Sequence, residues 1–566
     1  MYCVIGEGNR IEYSSIPLKE GLNSIGTVYG IAALDYALSD IKGAELLQDV
    51  SPTRFDGKGM FICVRDGRFV WASPDISGIR DVFYAIFEDE KQIVGDDFFE
   101  IVSQIRSVTL NADTTAFFIR QGYFPPGATF FQEVSRVRVG TKLTFAHGKA
   151  VEENAWESEE QEKPRTYEAF KDALSSVLKV REVSDEDAIF LSAGVDSGLL
   201  AALSAKTFHK HPLAITMRYK QTLKINEIDA VGSERIARHL GLEHVAITFD
   251  FDEEHPSSLK GFIERMPLAA HMAVTFLKMS REVAKRGKTK VWCGQNADSL
   301  YNLGPTEKTL GGPIKRFYLS KEYWKSFPDI KDKSAFGFLW RWVGALGPPS
   351  LRLKRGFQMR QPSTFHELLH AFEESEEYIA LPSATQKPEQ GASSEMLSYA
   401  EAKRLFFDRK AQSFIIGRDP RAVYAAGEQE HVEVILPYSA ANMVHFFRGL
   451  ELGIRDVFWP KRYIYRYLQE LLGASHFNSL YGSQERFLPQ VQYLNWQEWQ
   501  KKTLFRTSFW NEIREEVKEN PIVHALEKKS SPFFNKNSLY HIINLYWMQS
   551  VLRKIEDGGV AIKIAI

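Results

Sequence analysis

Short apolar runs alternate with helical segments between residues 167 and 293, and this alternation constrains the fold more than any other feature. Apolar runs at residues 187–191, 213–217 and 244–248 are separated by segments with the periodicity of helices. A fourth run follows at residues 290–293. Strands that alternate with helices form a parallel sheet, because a crossover helix carries the chain back to the same edge. The sequence therefore predicts an α/β domain with a parallel sheet.

The N-terminal part of the chain carries a pattern of strands and turns instead. Residues 60–71 contain two β-rich runs around an Asp-Gly pair, which is a hairpin signal. Acidic side chains then accumulate between residues 152 and 162, as in a solvated linker. We therefore expect a β-rich domain over residues 1–155 and a second domain over residues 156–566.

Composition and charge exclude several classes of protein. The 566 residues include 71 basic and 72 acidic side chains, a formal net charge of −1, so we expect no nucleic-acid partner. We expect no secretory signal from the first residues, and no apolar run approaches the roughly 20 residues that span a bilayer. Three widely spaced cysteines, Cys3, Cys63 and Cys293, exclude a disulfide framework and a four-cysteine metal site. We expect a cytoplasmic protein without a membrane span.

The segment that carries chemistry is Phe190–Leu200, with the sequence FLSAGVDSGLL. Small side chains at Ser192, Ala193 and Gly194 let backbone N–H groups approach an anion, and the helix that follows adds partial positive charge at its N-terminus. The hydroxyls of Ser192 and Ser197 can donate to phosphate oxygens. The segment therefore predicts a pyrophosphate site.

Asp196 within this segment is an anion and cannot bind phosphate directly. It is explained as a ligand to Mg²⁺, which would bridge the carboxylate to phosphate oxygens. The alternative is an ordinary turn from strand to helix in which the aspartate is a cap. The strand, loop and helix context favours the phosphate site.

These residues resemble the PP-loop, SGGxDS, of N-type ATP pyrophosphatases, and more closely the loop of the asparagine synthetase family. Ala193 stands where the first glycine of the motif usually is. Further segments resemble the same family: residues 226–244 and 291–298 its synthetase domain, residues 75–84 and 125–140 its glutaminase domain, and residues 436–438 its VPFLD motif.

The resemblance implies a fold class, namely a β-rich Ntn-hydrolase-like N-terminal sandwich followed by a parallel-sheet PP-loop synthetase domain with helical additions. It also implies ATP and Mg²⁺ as cofactors, with Asp196 and Asp298 as the metal ligands. The residues that would contact ATP are Leu191, Ser192, Ala193, Gly194, Asp196, Ser197, Met217 and Gly294.

Further catalytic roles follow from the resemblance. Gln295 stands where asparagine synthetases carry a glutamate, and its amide can hydrogen-bond an adenylate or a substrate amide. A late cation stabilises the adenylation transition state in the family. The nearest equivalent here is Arg486, and Lys461 and Arg462 are alternatives. Asp196 and Asp298 complete the predicted catalytic set.

The nitrogen source is where this chain departs from the family. A family glutaminase uses cysteine as residue two, with its own α-amine as the base, whereas this chain has Tyr2 followed by Cys3. No segment like the glutamine-binding NGEIYN precedes Asp56. We therefore expect a degenerate glutaminase domain that hydrolyses no glutamine, with Cys3 as a small buried residue of the first strand.

Three functions follow from these expectations. The first is adenylation of a carboxylate and attack by the substrate's own amine, as in lasso-peptide cyclases and β-lactam synthetases, with a precursor peptide as substrate and a leader-peptidase-type partner protein. The second is amidation of aspartate or another carboxylate with ammonia. The third is an inactive scaffold that keeps the fold, and the presence of both Asp196 and Asp298 argues against it.

Overall fold

The computed structural model describes residues 2–5, 11–14, 27–29, 59–65, 68–87, 91–155, 165–220, 224–271, 274–297, 300, 418–450, 461–482, 503–518 and 539–564. Most of these belong to one compact unit, built from Met1–Ala297, Lys410–Phe447 and Arg462–Ile566. A second unit comprises Asp298–Arg409 and Arg448–Lys461. The site described below is built from the first unit.

Two antiparallel sheets form the N-terminal part of this unit. Their orders are β2-β1-β7-β6-β9 and β11-β10-β5-β4-β3. Pairing of β4 with β5 up to Arg65 and Arg68 confirms the predicted hairpin. The elements are β1 (Tyr2–Ile5), β2 (Ile11–Ser14), β3 (Thr27–Tyr29), β4 (Met60–Arg65), β5 (Arg68–Pro74), β6 (Phe83–Ile86), β7 (Gln92–Gly95), α1 (Phe98–Ser103), β8 (Ser107–Leu110), α2 (Ala112–Gln121), β9 (Val134–Arg136), β10 (Thr141–Ala146) and β11 (Lys149–Asn154).

The two sheets share one apolar core and therefore form a sandwich. Ile5 and Val94 of the first sheet belong to the same buried cluster as Ile62, Leu143 and Phe145 of the second. Alternate side chains of β10 are buried, as expected for a strand with one face on the core. We call these two sheets the sandwich; its likeness to an Ntn hydrolase stays a prediction.

A parallel sheet follows in the chain, as predicted. Its order is β14-β13-β12-β15-β16, and every neighbouring pair is parallel. Strand β16 is an element that the sequence did not predict. The elements are α3 (Tyr167–Val180), β12 (Ala188–Phe190), α4 (Val195–Ala202), a π-helix (Leu203–Thr207), β13 (Leu213–Tyr219), α5 (Lys224–Leu240), β14 (His244–Phe249), a 3-10 helix (Pro256–Leu259), α6 (Lys260–Arg265), α7 (Val274–Lys285), β15 (Lys290–Cys293), α8 (Arg418–Gln429) and β16 (Glu433–Ile435).

The strand order of this sheet predicts where its ligand-binding crevice lies. The chain runs from β12 through β13 to β14 on one side and then returns to the other side of β12 as β15. Ligands of open α/β sheets bind at the carboxyl ends of the strands where the chain changes direction in this way. That point is the edge between Phe190, the last residue of β12, and Cys293, the last residue of β15.

The C-terminal part of the chain packs back on the N-terminal part. Strand β17 pairs in parallel with β8, and the Asn544 side chain donates to the Ile119 carbonyl at 3.0 Å. The predicted boundary near residue 155 falls beside residues 156–164, outside the described residues, so the division into two domains stays a prediction. The remaining elements are a 3-10 helix (Pro437–Ser439), α9 (Ala441–Gly449), α10 (Arg462–Leu472), α11 (Ala474–Phe477), a π-helix (Asn478–Gly482), a 3-10 helix (Leu504–Arg506), α12 (Ser508–Lys518), α13 (Leu539–Asp557) and β17 (Ala561–Ile564).

A buried ion pair joins the sandwich to α8. Both guanidinium NH₂ groups of Arg421 bind the two carboxylate oxygens of Asp81, at 2.6 and 2.9 Å, and the Arg421 Nε donates to the Gly78 carbonyl. Arg421 is 3% exposed and Asp81 is 8% exposed. A bidentate pair of this kind fixes orientation as well as distance. None of the helices that the structure describes has the length and apolar character needed to cross a membrane.

We predict that Arg421→Ala strongly destabilises the protein, because it leaves the Asp81 carboxylate buried without its bidentate partner. Loss of one member of a buried pair costs about 3–5 kcal/mol of unfolding free energy. The control is Arg238→Ala, which removes a pair with Glu234 that is 75% and 48% exposed, and an exposed pair contributes about 0–1 kcal/mol. Urea denaturation of both variants measures the difference; equal losses would contradict the role of Arg421.

Candidate functional site

The predicted phosphate loop leaves the sheet directly after β12. Leu191 still has its N–H bound to the Ile215 carbonyl at 2.9 Å, and its own carbonyl accepts the Thr216 hydroxyl at 2.6 Å. The Thr216 hydroxyl lies 3.0 Å from Nε2 of His244. Because the single hydroxyl proton of Thr216 goes to Leu191, His244 donates from Nε2. Burial lowers the pKa of His244, and Arg218 lowers that pKa further.

Two serines hold the loop in shape. The Ser197 hydroxyl accepts the Ser192 N–H at 3.0 Å, and the two hydroxyl oxygens are 2.9 Å apart. The Ser192 hydroxyl also accepts the Gly194 N–H at 3.1 Å. The loop is therefore braced by its own side chains before any ligand binds. To donate to phosphate as predicted, the two hydroxyls would have to give up some of these hydrogen bonds.

Helix α4 begins at the end of this loop, and its N-cap residue makes no side-chain hydrogen bond to the helix. Gly194 is the N-cap residue, in extended conformation, and it is exposed. Asp196 lies in the first turn and is half-buried. The open N-terminus of a helix attracts anions through its N–H groups and dipole. The anion-binding role of this loop stays a prediction, and the N-terminus of α4 is the feature of the loop that favours it.

A carboxylate already binds one N–H of the loop. Asp229, on α5, accepts the Ala193 N–H with Oδ1 at 2.7 Å. Burial raises the pKa of Asp229, and the hydrogen bond from Ala193 lowers that pKa in part. The bond indicates that the Ala193 N–H is directed at a negatively charged acceptor. A bound phosphate at this N–H would compete with Asp229.

The loop after β15 touches the start of α4. A Cβ on Gly294 would lie 2.9 Å from the Ser197 nitrogen and 3.2 Å from the carbonyl carbon of Asp196, so glycine is required here. Asn296, two residues on, is buried and has a φ of +78°, in the left-handed region that asparagine tolerates. The predicted residues Gly294 and Asp196 are thus in backbone contact.

A third segment, the 3-10 turn Pro437–Ser439, completes the site. The Tyr438 hydroxyl donates to the backbone carbonyl of Asp196 at 3.1 Å. The Asn296 amide donates from Nδ2 to the Ser439 hydroxyl at 3.0 Å. This turn therefore holds both the start of α4 and the loop after β15. Residues 436–438, which overlap this turn, are the segment that resembles the VPFLD motif.

Tyr481 also lies against the start of α4. A Cβ on Gly198 would lie 2.1 Å from the Tyr481 hydroxyl oxygen, so residue 198 is glycine because the tyrosine approaches so closely. Burial raises the pKa of Tyr481, and the negative charge of Asp196 raises that pKa further. The Tyr481 hydroxyl remains a protonated donor near the predicted metal ligand at neutral pH.

The structure places the other predicted site residues as follows. The register of Phe190 with Ile215 puts Met217, half-buried on β13, level with the loop. Gln295 is half-buried in the turn after Gly294. Asp298 and Arg486 lie outside the described residues. Lys461 directly precedes α10, and Arg462 stacks on the Tyr463 ring at 4.7 Å.

The donors at the site fit Mg²⁺. Within the described ranges, no cluster of three or more His, Cys, Asp or Glu side chains could hold a metal ion by itself. Asp196, the predicted metal ligand that the structure describes, offers one carboxylate at the start of α4. Mg²⁺ is usually held by one or two carboxylates together with substrate phosphates and water, so a partial protein site of this kind suits it.

Sequence reasoning missed several residues of the site. Thr216, Tyr438, Asn296 and Asp229 act through contacts between segments far apart in the chain. Three of them, Tyr438, Asn296 and Asp229, could have been found from the sequence, because each lies inside a segment that resembles the family. Only Thr216 had no signal beyond its place at the end of a predicted strand, next to Met217.

A cavity of about 690 Å³ lies elsewhere in the first unit. It is an open cleft lined by charged side chains, including Arg80, Asp97, Glu264, Glu428, Glu433 and Lys554. Glu433 is the first residue of β16, so the cleft lies at the amino end of the parallel sheet. The cleft is therefore separate from the site at the carboxyl ends of the strands.

A parallel sheet with a small-residue anion loop at its crevice defines a nucleotide-binding α/β domain of the PP-loop class. Residues 169–507, more than half of the chain, match the family model described as Asparagine synthase. The chain therefore belongs to the asparagine synthase family, and residues 169–507 are its synthase domain.

A curated relative matches a shorter part of the chain. This is 7-cyano-7-deazaguanine synthase of Bdellovibrio bacteriovorus, which is 29% identical over 143 residues. The match covers 25% of this chain and 59% of the relative, so the chain spans less than two thirds of the length of that relative.

We predict that Gly294→Ala weakens ATP binding by about tenfold, because overpacking against a backbone costs about 1–3 kcal/mol. Titration calorimetry with Mg·ATP measures the dissociation constant. The control is Gly559→Ala, at a φ of +84° with nothing near its Cβ. This control should lower the melting temperature and leave ATP affinity unchanged. Wild-type affinity in Gly294→Ala would contradict the importance of the contact.

Proposed function

We propose that the protein forms an amide bond by adenylating a substrate carboxylate with ATP, releasing pyrophosphate and then AMP. The observation that carries this proposal is the contact of Gly294 with the start of α4. This contact joins the anion loop, Asp196 and the loop that leads to Asp298 in one crevice. Family membership supports the same chemistry.

The reaction has two steps. An oxygen of the carboxylate attacks the α-phosphorus of ATP, the bond from that phosphorus to the bridging oxygen breaks, and pyrophosphate leaves. An amine then attacks the acyl carbon, the bond from carbon to the adenylate oxygen breaks, and AMP leaves with that oxygen. The amine loses one proton to a base or to water.

The chain's own residues would bind and orient the leaving pyrophosphate. The Ala193 N–H, which now binds Asp229, and the N-terminus of α4 would receive the phosphate oxygens, and the serine pair keeps the loop in shape. Asp196 and Asp298 would hold Mg²⁺. When bound, this ion neutralises the charge that develops on the phosphates. Arg486 or Lys461 would supply a further cation.

The amine most consistent with this chain is part of the substrate, so the product would be a lactam, as in the lasso-peptide cyclases that the sequence resembles. Cys3 lies inside β1, paired with Ser14 on one side and Val94 on the other. Its nitrogen is the peptide nitrogen that follows Tyr2, so it has no free α-amine to serve as the base of a glutaminase. A precursor peptide is the proposed substrate class, with a leader-peptidase-type partner and a cytoplasmic location.

A second candidate is amidation of aspartate or another small carboxylate with ammonia. It needs the same adenylating site and differs only in the amine. The observation in its favour is that the family model itself is that of asparagine synthase. The choice of carboxylate and amine in an assay separates the two candidates.

We predict that Asp196→Asn abolishes exchange of labelled pyrophosphate into ATP, because it removes a full negative charge from the proposed metal ligand. The exchange is measured with aspartate and with a linear peptide that has a free amine and a side-chain carboxylate. Glu186→Gln is the control, since its carboxylate is 91% exposed, and it should exchange like the wild type.

Each outcome has a defined meaning. Exchange with the peptide alone supports lactam formation, and exchange with aspartate alone supports the second candidate. Wild-type exchange in Asp196→Asn would overturn the metal assignment. A wild-type protein that binds no ATP would overturn the proposed function altogether and favour an inactive scaffold.

A further inference from the structure

The sandwich contains one turn that is unusually well fixed. The carboxylate of Asp75 accepts backbone N–H groups from Gly59, Ser77, Ile79 and Arg80, at distances from 2.9 to 3.2 Å. Asp75 is fully buried, and this burial raises its pKa while the N–H bonds lower it. The four donors hold the turn in one conformation.

Contacts with other parts of the protein also fix this turn. Gly78 has a φ of +61°, and a Cβ there would lie 2.8 Å from a methyl group of Val139, so the position requires glycine. The carbonyl of Gly78 accepts from Arg421 on α8. Ile79, the next residue, is buried in the core of the parallel sheet with Phe190 and Cys293. The turn therefore projects from the sandwich into the sheet that carries the site.

One side chain of this turn reaches the site by hydrogen bonds. The Ser77 hydroxyl donates to the Ser439 carbonyl, and both residues are buried. Ser439 accepts Asn296 with its hydroxyl, and its neighbour Tyr438 binds the carbonyl of Asp196. Ser77 therefore holds a turn that contacts both the start of α4 and the loop after β15.

We propose that Ser77 is a positioning residue for the ligase site, and that the sandwich, through Ser77, keeps Asp196 and Asn296 in register. This proposal rests on the proposed function for its kinetic consequence. It gives the sandwich a role that requires no glutamine hydrolysis. Loss of the bond would leave the Ser439 carbonyl buried without this donor, and the turn would shift to recover a partner.

The chain offers a matched control for Ser77→Ala. Ser73 is a buried serine of the same sandwich, 1% exposed, against 2% for Ser77. Its hydroxyl donates to the carbonyl of its own neighbour Pro74 at 3.1 Å. Ser73→Ala therefore removes a buried hydroxyl of equal size without touching Ser439. A second variant, Ser439→Ala, removes the acceptor of Asn296 and leaves the Ser77 bond in place.

The test has two readouts on the full chain. Amide hydrogen exchange without nucleotide should become about tenfold faster in Ser77→Ala across residues 293–297 and 436–440, the scale expected for one lost buried hydrogen bond. Ser73→Ala should exchange there like the wild type, and Ser439→Ala should speed exchange at residues 293–297. In the second readout, pyrophosphate exchange in Ser77→Ala should lose kcat by about tenfold, with a melting temperature equal to that of Ser73→Ala.

The outcomes separate the two proposals. Unchanged amide exchange at both segments in Ser77→Ala would overturn the positioning role, whatever the enzyme does with ATP. Faster exchange in a protein that neither binds nor cleaves ATP would support the positioning role and overturn the proposed function. Equal effects of Ser73→Ala and Ser77→Ala on both readouts would show a general loss of packing and would also overturn the role of Ser77.

Discussion

The close backbone contact between Gly294 and the start of α4 is the constraint on which the rest of the site depends. It exists because β12 and β15 are neighbours in a parallel sheet whose chain changes direction between them. A side chain at residue 294 would separate the two loops. With glycine there, the loop at Ser192 and residues 294–297 share one crevice, which is where we propose that Mg²⁺ and the phosphates bind.

Buried polar contacts connect the sandwich to that crevice. The bidentate pair of Arg421 with Asp81 joins the sandwich to α8, and the bond from Ser77 to Ser439 joins it to the turn at the crevice. Buried polar contacts of this kind fix one arrangement of the two parts, because a slipped arrangement would leave charges and carbonyls unpaired.

The sequence predicted the elements well and the contacts between distant segments poorly. The parallel strands, the hairpin before Pro74 and the loop at Ser192 were accessible because periodicity and small residues act locally. Strand β16 was missed because three residues carry too little pattern. Two hydrogen bonds, from Tyr438 to Asp196 and from Ala193 to Asp229, join residues that are far apart in the chain. Only the fold brings these residues together. Asp298 and Arg486 lie outside the described residues, so their roles stay predictions.

The most direct measurement of the central claim follows the oxygen of the substrate carboxylate. The carboxylate that supports pyrophosphate exchange is labelled with ¹⁸O and incubated with the protein, ATP and Mg²⁺, and the nucleotide product is analysed by mass spectrometry. Adenylation predicts one ¹⁸O atom in AMP for each amide bond formed. Amide formation with unlabelled AMP, or with ADP as the nucleotide product, would contradict the account.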